Sequence, residues 1–260
     1  MEKIENLTLE EKVGQMFMVG LGNVEYLKNI ENLIIKYKIG GILLYKKDYK
    51  DYKELNNLVN RLRKIGNQNK IPLFIAIDQE GGRVNRMPND FKNLPSAYKL
   101  ASFDKENLVD EASDITGEML EKTGFNLNFA PVLDIKRFES TQAIGDRAFS
   151  KDFNIVTKCG LIYMDNMKKH NIVPVIKHYP GHGATKKDSH FTLPTIDDSD
   201  KKLEKEDLIP FKKAIENNAD AILVGHLRIK NVTHGYPASM SKSFVRKYIR
   251  KSNRYNGLII

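Results

Sequence analysis

The 260-residue sequence has only one cysteine, Cys159, so an intramolecular disulfide bond is excluded. Cys159 lies in a segment of helical periodicity without an activating histidine or arginine motif, which predicts a packed side chain rather than a nucleophile. No apolar run approaches the ~20 residues that span a membrane. Residues 1–8 lack a basic patch followed by an apolar stretch, so no signal peptide is predicted. We therefore expect a cytoplasmic protein without a membrane partner.

The sequence also lacks the interleaved aromatic and basic residues of a nucleic-acid-binding surface, although its formal net charge is +9. The lysines are scattered over predicted helix faces, as at 201–202 and 212–213. This distribution favours a solvated lysine-rich surface, with a mild attraction to anionic substrates left open. We expect no nucleic-acid partner and no cofactor.

Short apolar runs alternate with amphipathic segments of helical period, and no low-complexity linker divides the chain. Strands are predicted at 16–19, 41–45, 73–77, 126–130, 173–176, 221–224 and 257–260. Helices are predicted at 26–38, 52–65, 105–122, 153–170, 204–217 and 242–251. Nearly continuous apolar strands are typical of a parallel sheet covered by helices on both faces. Residues 1–260 are therefore predicted to form one domain of repeated βα units.

Three polar residues stand where predicted helices begin. Thr8, followed by Glu11, forms the pattern of a capping box at the first helix. Asp104 and Ser241 are predicted N-caps on the same grounds.

Two parallel α/β architectures fit this alternation. A doubly wound sheet gathers its ligand contacts at one switch point, often with a glycine fingerprint. A (β/α)8 TIM-type barrel takes them from the ends of many strands and commonly runs to about 250 residues. Polar motifs follow at least four strands here, at 78–83, 131–134, 177–178 and 225–226, and no GxGxxG motif opens an early helix. The pattern predicts the barrel.

The predicted barrel has six complete βα units and the onset of a seventh. The chain stops within the apolar run at 257–260. A core strand interrupted there would leave neighbouring backbone groups unpaired. We therefore expect a barrel that is C-terminally incomplete, within its seventh strand.

Titratable groups are most crowded at 176–190, directly after the fifth predicted strand. Lys177 and His178 stand at the strand end, where a buried lysine needs an anionic partner, either a ligand or a carboxylate. Asp188 and His190 follow in one loop. A carboxylate that accepts from one ring nitrogen raises the basicity of the other, which makes His190 a candidate general acid/base oriented by Asp188.

A metal site is the alternative reading of this segment. His178, His182, His190 and Asp188 are all zinc-compatible. The segment lacks an HExxH motif, and Lys177 would place a cation beside the metal. Proton transfer without a metal is therefore favoured.

Two further motifs carry candidate ligand contacts. Asp78, after the third strand, can accept two hydroxyl hydrogen bonds, as in sugar binding, and the glycines at 81–82 allow a sharp turn. Arg83 is either a ligand contact or a structural partner of Asp134 or Glu80. Arg147 is predicted either as a side chain held by a carboxylate and offered to a ligand oxygen or as part of a surface ion pair.

Five ordered motifs together resemble glycoside hydrolase family 3, within it the bacterial β-N-acetylglucosaminidases of cell-wall recycling. The match covers nearly the whole chain. The motifs are DQEGGR at 78–83, NFAPVLD at 128–134, IGDRAF at 144–149, KHYPGHG at 177–183 and DSH at 188–190.

The resemblance implies a role for each candidate residue. Those implied to bind the hydroxyl groups of a terminal N-acetylglucosamine are Asp78, Arg147, Lys177 and His178. His190 would be the acid/base, oriented by Asp188, in a retaining mechanism with a covalent glycosyl-enzyme. No residue of this sequence is assigned as nucleophile, because the family carries that aspartate just after the strand predicted at 257–260.

The implied activity is exo-hydrolysis of N-acetylglucosamine from muropeptide or chitooligosaccharide ends. Phosphorolysis is a variant, since a neutral imidazole repels phosphate less than a carboxylate does. The alternatives are a β-glucosidase variant of the family, a catalytically silent sugar-binding barrel, and a metal-dependent hydrolase.

Overall fold

A computed structural model describes residues 4–22, 27–103, 106–137, 143–185, 192–197 and 200–260. The helices are α1 (Leu9–Gln15), α2 (Leu27–Tyr37), α3 (Tyr52–Gly66), α4 (Ala97–Ser102), α5 (Glu106–Thr123), α6 (Phe153–Lys169), α7 (Asp200–Lys205), α8 (Leu208–Glu216) and α9 (Lys242–Phe244). A π-helix at Val245–Lys251 continues α9.

The strands lie close to the predicted positions. They are β1 (Met18–Gly20), β2 (Gly41–Leu44), β3 (Phe74–Ile77), β4 (Leu127–Asn128), β5 (Val173–Tyr179), β6 (Thr195–Ile196), β7 (Ala221–Val224), β8 (Arg228–Ile229) and β9 (Leu258–Ile259). The short pair β6 and β8 forms a separate parallel sheet, which the sequence did not predict.

The main sheet decides between the two architectures. Its seven strands are all parallel and lie in the order β1-β2-β3-β4-β5-β7-β9, so every strand is beside its predecessor in the sheet. In a doubly wound sheet the order of the strands would reverse at a switch point, although the strands stay parallel. The sequential order is that of a TIM-type barrel, here a curled half-barrel whose seventh strand is β9, as predicted.

Local capping confirms part of the helix prediction. The Thr8 hydroxyl accepts from the Glu11 N–H at 3.2 Å, and the Glu11 carboxylate accepts from the Thr8 N–H at 3.0 Å. Ser241 caps α9 through the Phe244 N–H at 3.4 Å. Asp104 lies outside the described residues.

The single helix predicted at 204–217 is wrong, since α7 and α8 are separate. Pro210 lies in the first turn of α8, where its missing N–H costs nothing. Its ring would clash with the carbonyl group of residue 206 in a continuous helix. The break at 206–207 therefore follows from one proline.

Apolar side chains fill both faces of the sheet. The larger cluster lies between the strands and the helices and includes the buried Cys159. A smaller cluster lies on the concave face and contains Phe74 and Ala76 of β3 with Val173 and Val175 of β5. Because side chains alternate along a strand, the next concave-face positions are Asp78 and Lys177. The polar site therefore begins where this inner apolar cluster ends.

Within the described residues, none of the helices is long and apolar enough to cross a membrane.

Candidate active site

The turn after β3 is held by the neighbouring strand. The Gln79 N–H donates to the Asn128 side-chain oxygen at 3.0 Å, and the Asn128 amide donates back to the Gln79 carbonyl at 3.0 Å. Gly81 and Gly82 then adopt φ angles of 89° and 56°, in the left-handed region that favours glycine. This turn fixes the positions of the residues on either side of Gln79, Asp78 and Glu80.

Lys177 bridges these two carboxylates. Its ammonium group lies 2.6 Å from Asp78 Oδ1 and 2.5 Å from Glu80 Oε1. The lysine and Glu80 are almost fully buried, whereas the Asp78 carboxylate keeps partial solvent exposure. Of the two anionic partners considered for Lys177, a ligand or a carboxylate, the structure shows the carboxylate.

Arg147 holds the other side of Glu80. Its Nε donates to Glu80 Oε2 at 2.8 Å and its Nη2 to Glu80 Oε1 at 2.7 Å, a bidentate pair. Burial would raise the pKa of the Glu80 carboxyl, but the charges of Lys177 and Arg147 outweigh it and lower that pKa to about 2. Glu80 is therefore an ionised anchor between two cations.

Arg83 has a structural role in the described contacts. It donates to Asp146 at 3.0 Å and to the carbonyl groups of Ala143 and Ile144, rather than pairing with Asp134 or Glu80. Asp146, the acidic neighbour of Arg147 in sequence, thus pairs with a different arginine.

His178 is oriented by a fully buried carboxylate. Asp134 Oδ2 lies 2.6 Å from His178 Nδ1, while His178 Nε2 lies 3.5 Å from Arg147 Nη2. Burial lowers the pKa of the imidazole, and the opposing charge of Asp134 does not fully offset it. Burial alone would raise the pKa of the Asp134 carboxyl, but its contacts with His178 and His182 lower that pKa instead.

Asp134 also fixes the chain that follows β5. Its Oδ1 accepts from the His182 N–H at 2.5 Å. The 3-10 turn His182–Ala184 lies against residue 135, because a Cβ placed on Gly183 would be 1.9 Å from the Ile135 carbonyl oxygen. Gly181 has a φ of 134° and lies against Asp207. Close packing against these neighbours explains both glycines.

The predicted acid/base pair, Asp188 and His190, lies outside the described residues. Within the described part of the chain, no group of three or more His, Cys, Asp or Glu side chains could hold a metal ion.

A further imidazole stands at the same edge of the sheet. The Gly225 N–H donates to the Tyr179 carbonyl at 2.9 Å, which places the chain after β7 beside β5. The next residue, His226, is exposed, and its Nδ1 lies 2.9 Å from the Ser239 hydroxyl.

The four predicted sugar-binding residues, Asp78, Arg147, Lys177 and His178, thus lie in one connected cluster. Sequence reasoning considered Glu80 and Asp134 only as partners of Arg83. In the cluster Glu80 connects Lys177 with Arg147, and Asp134 contacts His178. Both stood within the motifs at 78–83 and 128–134, but nothing in the spacing showed which cations they would meet. The cluster offers hydrogen-bond donors and acceptors side by side, the chemistry needed to bind vicinal hydroxyl groups.

Comparisons with known proteins agree with this geometry. The family model described as "Glycosyl hydrolase family 3 N terminal domain" matches residues 8–260. A β-hexosaminidase of Tolumonas auensis is 34% identical over 224 residues, which cover 85% of this chain and 65% of the relative. The chain therefore spans about two thirds of the length of this curated relative.

Solved structures share the fold. A family 3 β-N-acetylglucosaminidase from Paenibacillus superposes with a TM-score of 0.93 at 32% identity, over 97% of this chain and 48% of that one. NagZ from Neisseria gonorrhoeae, in complex with N-trifluoroacetyl-D-glucosamine, gives 0.86 at 27% identity, over 93% and 72%. The chain belongs to glycoside hydrolase family 3, through that family's N-terminal domain.

Proposed function

We propose that this protein is a retaining β-N-acetylhexosaminidase that removes terminal N-acetylglucosamine from glycan ends. The observation that carries the proposal is the buried ionic cluster around Lys177 at the carboxyl edge of a family 3 barrel. Active sites of TIM barrels lie at this edge. A sugar hydroxyl both donates and accepts, and the cluster presents a partly exposed acceptor, Asp78, next to two cationic donors.

The charge of the cluster supports glycoside cleavage. Three carboxylates (Asp78, Glu80 and Asp134) face two cations (Lys177 and Arg147), which leaves one net negative charge when His178 is neutral. Glycosidic cleavage passes through an oxocarbenium-like transition state. Negative surroundings that exist before the reaction stabilise the positive charge as it develops.

The relatives favour an N-acylated sugar over glucose. One solved relative is a β-N-acetylglucosaminidase, and another was captured with N-trifluoroacetyl-D-glucosamine. We therefore place the β-glucosidase alternative second. The proposal includes exo-action on muropeptide or chitooligosaccharide ends in the cytoplasm.

The two reacting groups are proposed from the resemblance. His190 would protonate the leaving oxygen, with Asp188 as its orienting carboxylate. None of Asp78, Glu80 and Asp134 is offered as the attacking group, because each already accepts from a lysine or histidine. An aspartate after the strand at 257–260 stays the predicted nucleophile.

The test uses the full-length protein with 4-nitrophenyl β-N-acetylglucosaminide and the matching β-glucoside, each with and without phosphate. We expect 4-nitrophenol release from the first substrate. His190→Ala should lower kcat by about 10²–10⁴-fold, the usual contribution of general acid/base catalysis. The control is His234→Ala, at an exposed residue of the turn after β8.

Faster release from the glucoside would favour the β-glucosidase alternative. Release only with phosphate would show phosphorolysis. No release under any condition would reject the proposed activity.

A further inference from the structure

His178 stands between a carboxylate and a guanidinium group, and only one neutral tautomer suits both. Its Nδ1 lies 2.6 Å from Asp134 Oδ2, and an ionised carboxylate only accepts hydrogen bonds. Its Nε2 lies 3.5 Å from Arg147 Nη2, and a guanidinium group only donates. The proton of the neutral ring therefore belongs on Nδ1, and Nε2 keeps its lone pair.

Each oxygen of the Asp134 carboxylate already accepts from its own donors. Oδ2 accepts from the ring and, at 3.3 Å, from the His178 backbone N–H, whereas Oδ1 accepts from the His182 N–H at 2.5 Å. All three partners are donors, and the carboxylate is fully buried. Both oxygens must act as acceptors, which only an ionised carboxylate provides.

We propose that Asp134 is a positioning residue that fixes His178 as a hydrogen-bond acceptor at Nε2, so that the site requires a substrate hydroxyl able to donate there. The inference rests on the proposed function, because it concerns how the same cluster selects its sugar. A hydroxyl at this point donates to His178 Nε2 and accepts from the adjacent Arg147 Nη2. Fluorine in its place accepts weakly and cannot donate, so Nε2 would lose its partner.

An asparagine at position 134 would reverse the arrangement. Its single carbonyl oxygen can satisfy the His182 N–H, which leaves the NH₂ group facing His178 Nδ1. Nδ1 must then accept, and the ring proton moves to Nε2, because two donors facing each other at 2.6 Å cost more than Nε2–H facing the Arg147 guanidinium at 3.5 Å. Asp134→Asn therefore keeps the shape of the side chain and exchanges the donor and acceptor ends of the imidazole.

The first measurement is the tautomer of His178, from long-range ¹H–¹⁵N spectra of the full-length protein near pH 7. We expect the proton on Nδ1 in the wild type and on Nε2 in Asp134→Asn. The matched control is Asp146→Asn, the same change at an exposed carboxylate that pairs with Arg83, which should leave the tautomer unchanged. A proton on Nε2, or on both nitrogens, in the wild type would overturn the inference whether or not any variant folds.

The second measurement is the affinity for N-acetylglucosamine and its 3-, 4- and 6-deoxy and deoxyfluoro analogues. At one of these positions both analogues should bind the wild type roughly tenfold more weakly, the cost of one lost hydrogen bond. In Asp134→Asn the difference in affinity between N-acetylglucosamine and the deoxyfluoro analogue at that position should become smaller, because Nε2–H can donate to fluorine.

The outcomes separate the two proposals. No binding of N-acetylglucosamine by the wild type would reject the proposed function and leave the tautomer result standing. Tight binding of the parent sugar, with equal affinity for all deoxyfluoro analogues, would reject the role of Asp134 alone.

Discussion

The two ends of β5 each carry a histidine among carboxylates, and the two clusters differ in burial. His170, before the strand, contacts Asp114 at 2.8 Å and Glu121 at 3.3 Å. His178, near the end of the strand, contacts Asp134 at 2.6 Å. The two imidazoles are similarly exposed, at 14% and 16%, but Asp114 is 40% exposed and Asp134 0%.

The two clusters contain the same kind of ion pair, so the pair alone does not distinguish them. The burial of the carboxylate determines how strongly each contact holds its histidine in place. Water screens the charges around His170 and lets its partners rearrange, so such pairs contribute little. At the other end each buried charge must be matched by a specific neighbour. The same residue types therefore form a surface network at one end of β5 and a preorganised site at the other.

Lys177→Met should give the largest effect at the buried end. It removes the cation between Asp78 and Glu80 and should lower the free energy of unfolding by about 3–5 kcal/mol, the usual cost of an uncompensated buried charge. Urea denaturation measures it. Lys169→Met is the matched control, because Lys169 pairs with exposed Asp114 at 2.7 Å. Equal losses in both variants would contradict the comparison.

Arg147→Lys should have the next largest effect. Lysine keeps the charge but cannot make the bidentate contact with Glu80, so we expect a loss of about 1.5–3 kcal/mol, the value of a hydrogen bond to a charged group. Thermal and urea unfolding measure it. Arg83→Lys, at the exposed pair with Asp146, should cost less. A larger loss of unfolding free energy in Arg83→Lys than in Arg147→Lys would show that burial does not determine how much each arginine stabilises the protein.

Glu80→Gln should remove a pH-dependent part of the stability. The pKa of this carboxyl is lowered from 4.5 to about 2 on folding. Its ionised form therefore contributes stability that is fully present above about pH 4.5 and is lost as the pH falls towards 2. The wild type and Glu80→Gln should converge in unfolding free energy over this range. A constant difference would contradict the assignment, and Glu216→Gln, at an exposed carboxylate, is the control.

His170→Gln should have the smallest effect. Its two carboxylate contacts involve exposed partners, so we expect a change in unfolding free energy within about 1 kcal/mol, as for surface ion pairs. Chemical denaturation at low and high salt measures it. A loss as large as that of Lys177→Met would show that exposed and buried clusters contribute equally.

The strand pattern predicted that the candidate residues after β3 and β5 lie together, because parallel strands end at one edge. Asp78 and Lys177 continue the inner apolar rows of β3 and β5, so alternation along the strand places them over the same cluster. The strand pattern did not predict the position of Arg147, because this residue reaches the cluster from a 3-10 turn at Gly145–Arg147. Its placement with the others rested on the family resemblance.

The pairing within the site was not predictable from the sequence. Glu80 meets Lys177 and Arg147 across 97 and 67 positions of the chain, and no local periodicity encodes such a contact. The same holds for Asp134 and His178, which meet across 44 positions. The roles of Asp188 and His190 stay predictions.

The tight contact of Gly183 with the Ile135 carbonyl has a consequence for how sequences of this kind can change. Even one added methyl group at position 183 would push residue 135 and, with it, the adjacent Asp134. Substitutions or length changes after Thr185 would not carry that penalty, because the anchoring turn ends there. The proposed acid/base segment could thus diversify for new leaving groups while the proposed sugar-binding cluster is inherited unchanged.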